Sequence, residues 1–295
     1  MAIITIDHVT KDYGDQKGLF DVSFSIEKGE VVGILGPNGS GKTTLIRQLM
    51  GFIKADSGKV SIMDLDCFDQ REIIQKHIGY LPGEIAFMDE MTGLDFIKFI
   101  ARMKGMADFN KARELIEFLQ LDPKNQIKRM SKGMKQKVGL VIAFMQDAPI
   151  LILDEPTSGL DPLMQNKFIE LIDQAKRSGK TILMSSHIFE EIEHTCNRVV
   201  MIKQGKIIAC KEMEDLKKKR HKHYEIKFAC SNDANKFKKL YPESIIQGKQ
   251  VTLLYSNHVD QIIKDLSNYR IEDITVRLQS LEELFLHYYG GNNHD

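Results

Sequence analysis

The sequence predicts an α/β fold with a mostly parallel sheet, followed by a smaller α+β domain. Three observations predict it. Unbroken apolar runs, EVVGIL (30–35) and ILILDEP (150–156), lack the alternation of half-exposed strands and suit strands buried on both faces. Segments with helical spacing stand between such runs. A basic run, KKKRHKH (217–223), separates residues 1–216 from a stretch, 217–295, with a strand–helix alternation of its own. A length of 295 residues allows about two domains at ~100–200 residues each.

The elements follow in order. AIITIDHV (2–9), DVSFSIE (21–27) and GKVSIM (58–63) alternate or are β-branched and predict strands of a β-rich, antiparallel region. EVVGIL runs into GPNGSGKT (36–43), and TTLIRQLMG (43–51) reads as a helix stopped at Gly51. HIGYLP (77–82) is a short strand. LDFIKFIARMKG, NKARELIEFLQ and GMKQKVGLVIAFMQD then show helical spacing and little strand signal, so residues from about 85 to 147 are expected to form a helical subdomain. The α/β pattern resumes with ILILDEP. A helix over 162–179 has Pro162 early and Gly179 at its end. TILMSSH (181–187) is a strand, IFEEIEHTC (188–196) a helix, and RVVMIKQGKIIA (198–209) a hairpin around Gln204-Gly205. Beyond the basic run, HYEIKFAC, a helix from about Asn232, QVTLLY, a helix near Val259–Leu266, IEDITVR and SLEELFLHYY predict β-α-β-α-β-α.

Composition excludes several classes. Lys+Arg and Asp+Glu both total 41, so bulk charge gives no case for a nucleic-acid partner, and none is expected. Residues 217–295 carry 13 basic and 10 acidic residues, a net of +3, which leaves −3 for the rest. The basic run reads as a solvated helix end plus linker in preference to a membrane-surface contact. Asp7 comes too early for a secretory leader. The longest apolar stretch, VGLVIAFMQ (138–146), is far short of the ~20 residues that cross a bilayer. Cys67, Cys196, Cys210 and Cys230 form no CxxC pair and read as free buried thiols in a reducing compartment, so a cytoplasmic location is expected.

GPNGSGKT fits G-x-x-x-x-G-K-[ST], with Gly36, Gly41, Lys42 and Thr43 at the fixed places. Glycines let backbone N–H groups wrap a phosphate, and the following helix aims its positive end at the same anion. Lys42 supplies a cation to the β- and γ-phosphates, and the Thr43 hydroxyl suits Mg²⁺. About 110 residues on, Asp154 ends an apolar strand where it can orient the metal, and Glu155 is a candidate base for attack on the γ-phosphate. An exposed acidic pair at a strand end is the plainer reading of those two alone. Ser131 in SKGMKQKVG makes an N-cap, and with Gly133 it offers a second phosphate-binding helix end. By itself this stretch reads first as an ordinary helix start. His187 follows Ser-Ser after an apolar strand and is placed to reach a γ-phosphate. Tyr13 in KDYGD offers a ring to adenine, or packs as a turn tyrosine.

On these residues the chain resembles the nucleotide-binding subunits of ATP-binding cassette (ABC) transporters, over residues 1 to about 216. Gly36–Thr43 match the Walker A loop, with Pro37, Asn38, Gly39, Ser40 and the following Thr44, and Ile150–Glu155 match Walker B. Ser131–Met134 match the signature, here MSKGM where LSGGQ is usual. Ser158–Asp161 match the D-loop, His187 the switch histidine, and Tyr13 the aromatic that stacks on adenine. SKGM, YLPGE and the tail SLEELFLHYYG resemble the branch serving bacterial drug, bacitracin and lantibiotic exporters.

The resemblance implies an ABC-type P-loop NTPase: a mixed-sheet core, an antiparallel β subdomain and a helical subdomain, here with the small C-terminal α+β domain. It implies ATP and Mg²⁺ as cofactors, a separate integral membrane permease and a second nucleotide-binding subunit as partners, and a peripheral position on the cytoplasmic face of the membrane. In the family two subunits sandwich two ATP molecules, each signature completing the other's site, so Ser131, Gly133 and Asp161 are expected at nucleotide. The region after YLP forms the family's groove for a membrane-subunit helix. Two alternatives were weighed: a soluble ABC-type ATPase on ribosomes or DNA, and a regulatory module without turnover. The chain has neither the second P-loop nor the long coiled coil of the former, and Glu155 and His187 argue against the latter. The sequence departs from the family where Gly83 stands in place of the Q-loop glutamine, with Glu84 next. Glu84 is therefore a candidate metal ligand, weighed evenly against a bystander carboxylate.

Overall fold

The computed structural model describes residues 2–218, 220, 222–255, 259–280 and 282–283. The chain divides into two compact units, Met1–Met213 and Glu214–Asp295.

In the first unit, β1 (Ala2–Asp12) and β2 (Gly18–Glu27) form a long antiparallel hairpin, and β3 (Val31–Leu35) leads into α1 (Lys42–Leu49). β4 (Ser57–Ile62), β5 (Leu65–Asp66), the one-turn α2 (Arg71–Ile74) and β6 (Ile78–Leu81) follow. The helical region holds α3 (Gly93–Met103), α4 (Asn110–Phe118) and α5 (Lys132–Met145). β7 (Ile150–Asp154), α6 (Pro162–Arg177), β8 (Thr181–Ser186), α7 (Phe189–Thr195), β9 (Arg198–Lys203) and β10 (Lys206–Glu212) complete it.

Two sheets result. An antiparallel sheet runs β2-β1-β4-β5, and a six-stranded sheet runs β10-β9-β3-β8-β7-β6, parallel except for the β9–β10 hairpin. β3 and β7 are buried at every residue, as unbroken apolar runs require. One core joins the two sheets through α1: Ile4, Ile6, Val22 and Ile26 share it with Leu45, Ile46, Leu49 and Ile34, Ile152 and Val200. Tyr80 and Phe52 meet edge to face at its margin.

Several details differ from the sequence reading. β1 and β2 extend beyond 2–9 and 21–27. His8 and Asp21 take positive φ, 48° and 55°, and the β1–β2 register shifts between Ile6 and Val9, so the alternation breaks while the pairing continues. β5 and α2 had no periodic signal to betray them. Only Cys67 and Cys196 are buried, their thiols pushed up to about 12 by burial, whereas Cys210 and Cys230 are exposed.

The second unit contains α8 (Met213–Lys218, straddling the boundary), β11 (Lys222–Phe228), α9 (Ser231–Leu240), β12 (Ile245–Gln247), β13 (Gln250–Tyr255), α10 (Val259–Leu266) and β14 (Ile271–Leu278). Its sheet order is β12-β13-β11-β14, antiparallel throughout. The order of elements is therefore β-α-β-β-α-β, a split β-α-β arrangement, and not the β-α-β-α-β-α expected. The missing strand, β12, is three residues long, and only its hairpin with β13 across Gly248 identifies it. The expected last helix, SLEELFLHYY, lies largely outside the described residues. Phe228, Phe237, Tyr224 and Leu253 head the core of this unit.

Candidate functional site

The loop between β3 and α1 is held tightly by backbone. Gly41 takes φ 111°, and a Cβ there would lie 2.7 Å from Leu19 Cδ2 and 3.0 Å from the Gly18 carbonyl. A Cβ on Gly36 would lie 2.4 Å from the Ile202 carbonyl. No side chain caps α1, so its first N–H groups stay available to an anion. Ser40 is buried and its hydroxyl has no partner among the described residues, a second donor suited to phosphate oxygens. Lys42 Nζ donates to the Gly36 carbonyl at 2.7 Å and to the Pro37 carbonyl at 3.2 Å. Burial pulls its ammonium below the usual lysine range, and Glu155 and Asp154 pull it back up.

Asp154 ends β7 and is 1% exposed. The Ser185 hydroxyl donates to Asp154 Oδ1, while Oδ2 is buried without a partner. A buried carboxylate oxygen in that state is costly unless a cation or water meets it. A hard divalent ion with its waters fits this donor set, and Asp154 and Thr43 would hold it. Glu155 adopts φ 47°, a conformation unfavourable for a non-glycine residue by ~1–3 kcal/mol. Its N–H donates to the Ser185 hydroxyl at 3.0 Å and to the Ser185 carbonyl at 3.2 Å. The turn swings its carboxylate away from Asp154, to 3.7 Å from Lys42 Nζ and 3.5 Å from His187 Nδ1. One oxygen, Oε1, thus meets residues from two other motifs.

A cleft of about 770 Å³ opens over these groups, lined by Asn38, Gly39, Gly41, Lys42, Thr43 and Thr44 on one side and Gly83, Glu84, Asp154 and Glu155 on another. Tyr13 stands at its mouth, 54% exposed. Gly83 abuts the metal-type carboxylate: a Cβ there would lie 3.1 Å from Asp154 Oδ2. Glu84 lies on the same wall and is exposed.

Of the expected site residues, Gly36, Pro37 and Ser40 in the loop, His187, and Ser131, Gly133 and Asp161 do not line this cleft. Ser131 caps α5, accepting the Met134 N–H at 3.2 Å, and Gly133 packs against the Gly159 carbonyl, where a Cβ would come within 2.6 Å. Lys132, between them, does reach the cleft. Asp161 caps α6 by accepting the Met164 N–H at 3.0 Å. Within one chain its position is that of a helix cap: an Asp before Pro162 is drawn to the free N–H groups of the helix it opens.

Sequence reasoning missed three supporting residues. Gln136 on α5 is 5% exposed and donates to the Pro156 carbonyl at 2.8 Å and the Glu155 carbonyl at 3.2 Å, tying the helical region to the turn that carries Glu155. A lone amide on the inner face of an apolar helix was its only signal. Ser185 joins Asp154 to Glu155. Glu191 on α7 is 6% exposed and accepts the Ser186 hydroxyl, and burial pushes its carboxyl up to about 7. Nothing in FEEIEH distinguishes it from Glu190 without the helix phase.

Comparison with known proteins agrees with this geometry. The ABC transporter family model matches residues 19–158. The ABC transporter ATP-binding protein NatA of Bacillus subtilis is 36% identical over 228 residues, covering 72% of this chain and 91% of NatA. The bacitracin transport ATP-binding protein BcrA of Bacillus licheniformis is 32% identical over 297 residues, covering 94% of this chain and 97% of BcrA. Among solved structures, a dimeric bacterial ABC transporter cassette superposes with a TM-score of 0.64 at 25% identity, covering 71% of this chain and 98% of the cassette.

Proposed function

This chain belongs to the ABC transporter family as an ATP-binding ATPase subunit, and from that premise we propose that it energises an exporter through ATP-driven closure of a pair of such subunits. The observation that carries the proposal is the convergence of Lys42 and His187 on Glu155 Oε1 beside the open Asp154 Oδ2.

The residues divide the work as follows. The loop from Gly36 to Thr44 wraps the phosphates, with Lys42 neutralising charge on the β- and γ-groups. Asp154 and Thr43 would hold Mg²⁺, which would supply positive charge against the phosphate oxygens. Tyr13 stacks on the adenine. Glu155 orients the attacking water and accepts its proton, and His187 hydrogen-bonds the γ-phosphate from the other side of the same carboxylate. Ser131 and Gly133 stand outside their own cleft, which is the placement a contact with a second subunit's γ-phosphate needs.

The membrane partner docks, in this reading, on a groove of about 440 Å³ lined by Phe52, Tyr80, Ile85, Phe96, Ile100 and Ile142. Among the described residues no helix is long and apolar enough to cross a membrane. In this reading the translocation path belongs to that separate subunit, and this chain works from the cytoplasmic face. BcrA, aligned over 94% of this chain, is named for bacitracin transport, which supports the exporter reading. The test is affinity purification of the chain from membranes, followed by reconstitution. Recovery of a multi-span protein whose substrate stimulates ATP turnover is expected. Turnover with no membrane protein attached would overturn the transport reading.

A further inference from the structure

The second unit carries an unpaired edge strand that holds three charged residues, Glu272, Asp273 and Arg277, and three exposed apolar ones, Ile274, Val276 and Leu278. Among the described residues, β14 pairs with β11 on one side and with no strand on the other. Ile274, Val276 and Leu278 share one face of β14 and are 43%, 50% and 55% exposed. They stand on the same face of the sheet as the buried Ile226 and Tyr224, their partners across the β11 pairing being Ile226, Tyr224 and Lys222. Soluble proteins protect long edges of this kind with charge, proline or a covering element, because the free ladder otherwise recruits another strand. β14 has eight residues and no proline.

The occupant follows from the register. The Ile274 N–H donates to the Asp273 side chain at 2.9 Å and not to β11, so the even-numbered N–H groups of β14 face the open edge. An antiparallel pair with an identical strand must then match even residues with even residues, which leaves two-fold axes through residue 274, 275 or 276. Only the axis through Thr275 places Asp273 opposite Arg277 of a second copy, twice over. The same axis sets Ile274 against Val276 of the second copy on the apolar face. Opposite-charge and apolar cross-strand pairs both favour that register. On pairing, the Ile274 N–H passes to a carbonyl of the second strand and the Asp273 carboxylate is released toward Arg277, whose guanidinium also holds Glu283 at 2.9 and 3.0 Å and lies 3.7 Å from Glu225.

We propose that two copies of this chain associate through β14, antiparallel about a two-fold axis at Thr275, to make a continuous eight-stranded sheet from the two C-terminal units. This contact needs no nucleotide and stands apart from the ATP-driven closure proposed above. It selects a second copy of the same chain as partner, since the complementarity is of the strand with itself. Its symmetry is the isologous kind that closes at two.

The experiment uses the full chain without nucleotide. Light scattering is expected to give twice the 33.7 kDa chain mass, and Val276→Lys is expected to weaken self-association at least tenfold while leaving ATP turnover per chain unchanged. Thr275 pairs with itself at a non-hydrogen-bonded position, where Cα atoms lie about 4.5 Å apart, within disulfide range. Thr275→Cys, in a background with Cys210 and Cys230 replaced by Ser, is therefore expected to give a covalent dimer under mild oxidation. Arg277→Cys in the same background is expected to give none, its copies lying about 13 Å apart along the strands. A monomer at every concentration, or a dimer in which Cys at 275 forms no bond, overturns the proposal. Because Val276 is half-exposed and Thr275 is an edge residue, the cross-linking arm remains decisive even if the lysine variant is unstable.

Discussion

Glu155 Oε1 lies 3.7 Å from Lys42 Nζ, and the two side chains reach that distance from opposite ends of the motif set. Lys42 opens α1, and Glu155 sits one residue past β7, in a backbone conformation that few non-glycine residues adopt. β3 and β7 are separated in the sheet by β8, whose penultimate Ser185 hydrogen-bonds both Asp154 and the Glu155 N–H. The Glu155 carboxylate is thus positioned by the neighbouring strand as much as by its own.

Lys42→Ala should weaken ATP binding by about two orders of magnitude, since one or two charge-assisted contacts to phosphate, each worth ~1.5–3 kcal/mol, are lost. Titration of a fluorescent ATP analogue measures it. Parent-like affinity would remove Lys42 from the phosphate site.

Glu155→Gln should keep ATP binding and lower turnover by roughly 10²–10⁴-fold, the range typical of losing a general base. The amide keeps the shape and loses the proton acceptor. An ATP-dependent, long-lived pair of subunits should accumulate, read by size exclusion with light scattering. Turnover at the parent rate would move the base elsewhere.

Stability should depend on pH through Glu191. Its folded pKa, raised by burial to about 7 from 4.5, lies above its unfolded value, so the folded state holds the proton more tightly. The stabilising contribution is complete below 4.5 and is lost as pH rises toward 7, a change of about 3 kcal/mol. Glu191→Gln removes the titration. In urea unfolding at pH 5 and pH 8, the parent should lose stability relative to the variant by that order. Parallel changes in both proteins would show that Glu191 does not titrate between them.

Met88→Glu should uncouple transport while basal ATP turnover stays within about twofold. Met88 is 48% exposed, two residues along the chain from Ala86 in the groove proposed for the membrane partner, and such surface substitutions rarely change stability by more than ~0.5 kcal/mol. Phe87 is a poorer probe, because its ring packs edge to face on Phe96 with centroids 5.3 Å apart. Transport at parent efficiency in the Met88 variant would place the membrane contact elsewhere.

ATP affinity should depend steeply on Mg²⁺, and Glu84→Gln should flatten that dependence. With Gly83 offering no side chain beside Asp154, the nearest alternative donor on that wall is the Glu84 carboxylate. Superimposable Mg²⁺ titrations of parent and variant would make Glu84 a bystander.

By itself the sequence determined the elements whose cause is local. The phosphate loop needs glycine at set positions, β3 and β7 need unbroken apolar runs, and α6 carries its own start and stop in Pro162 and Gly179. Each follows from steric or solvation rules that act within a few residues, so each is legible along the chain. The tertiary structure decided what depends on residues far apart in sequence. It set Gly83 against Asp154, brought Gln136 across to the Glu155 carbonyl, and gave Glu191 rather than Glu190 the buried helix face. It also turned β12 into a strand through three residues of pairing, and left Ile274, Val276 and Leu278 uncovered on an edge. Hydrogen bonds and burial between distant segments carry no periodicity of their own, because their energy is set by which surfaces meet once the chain has closed.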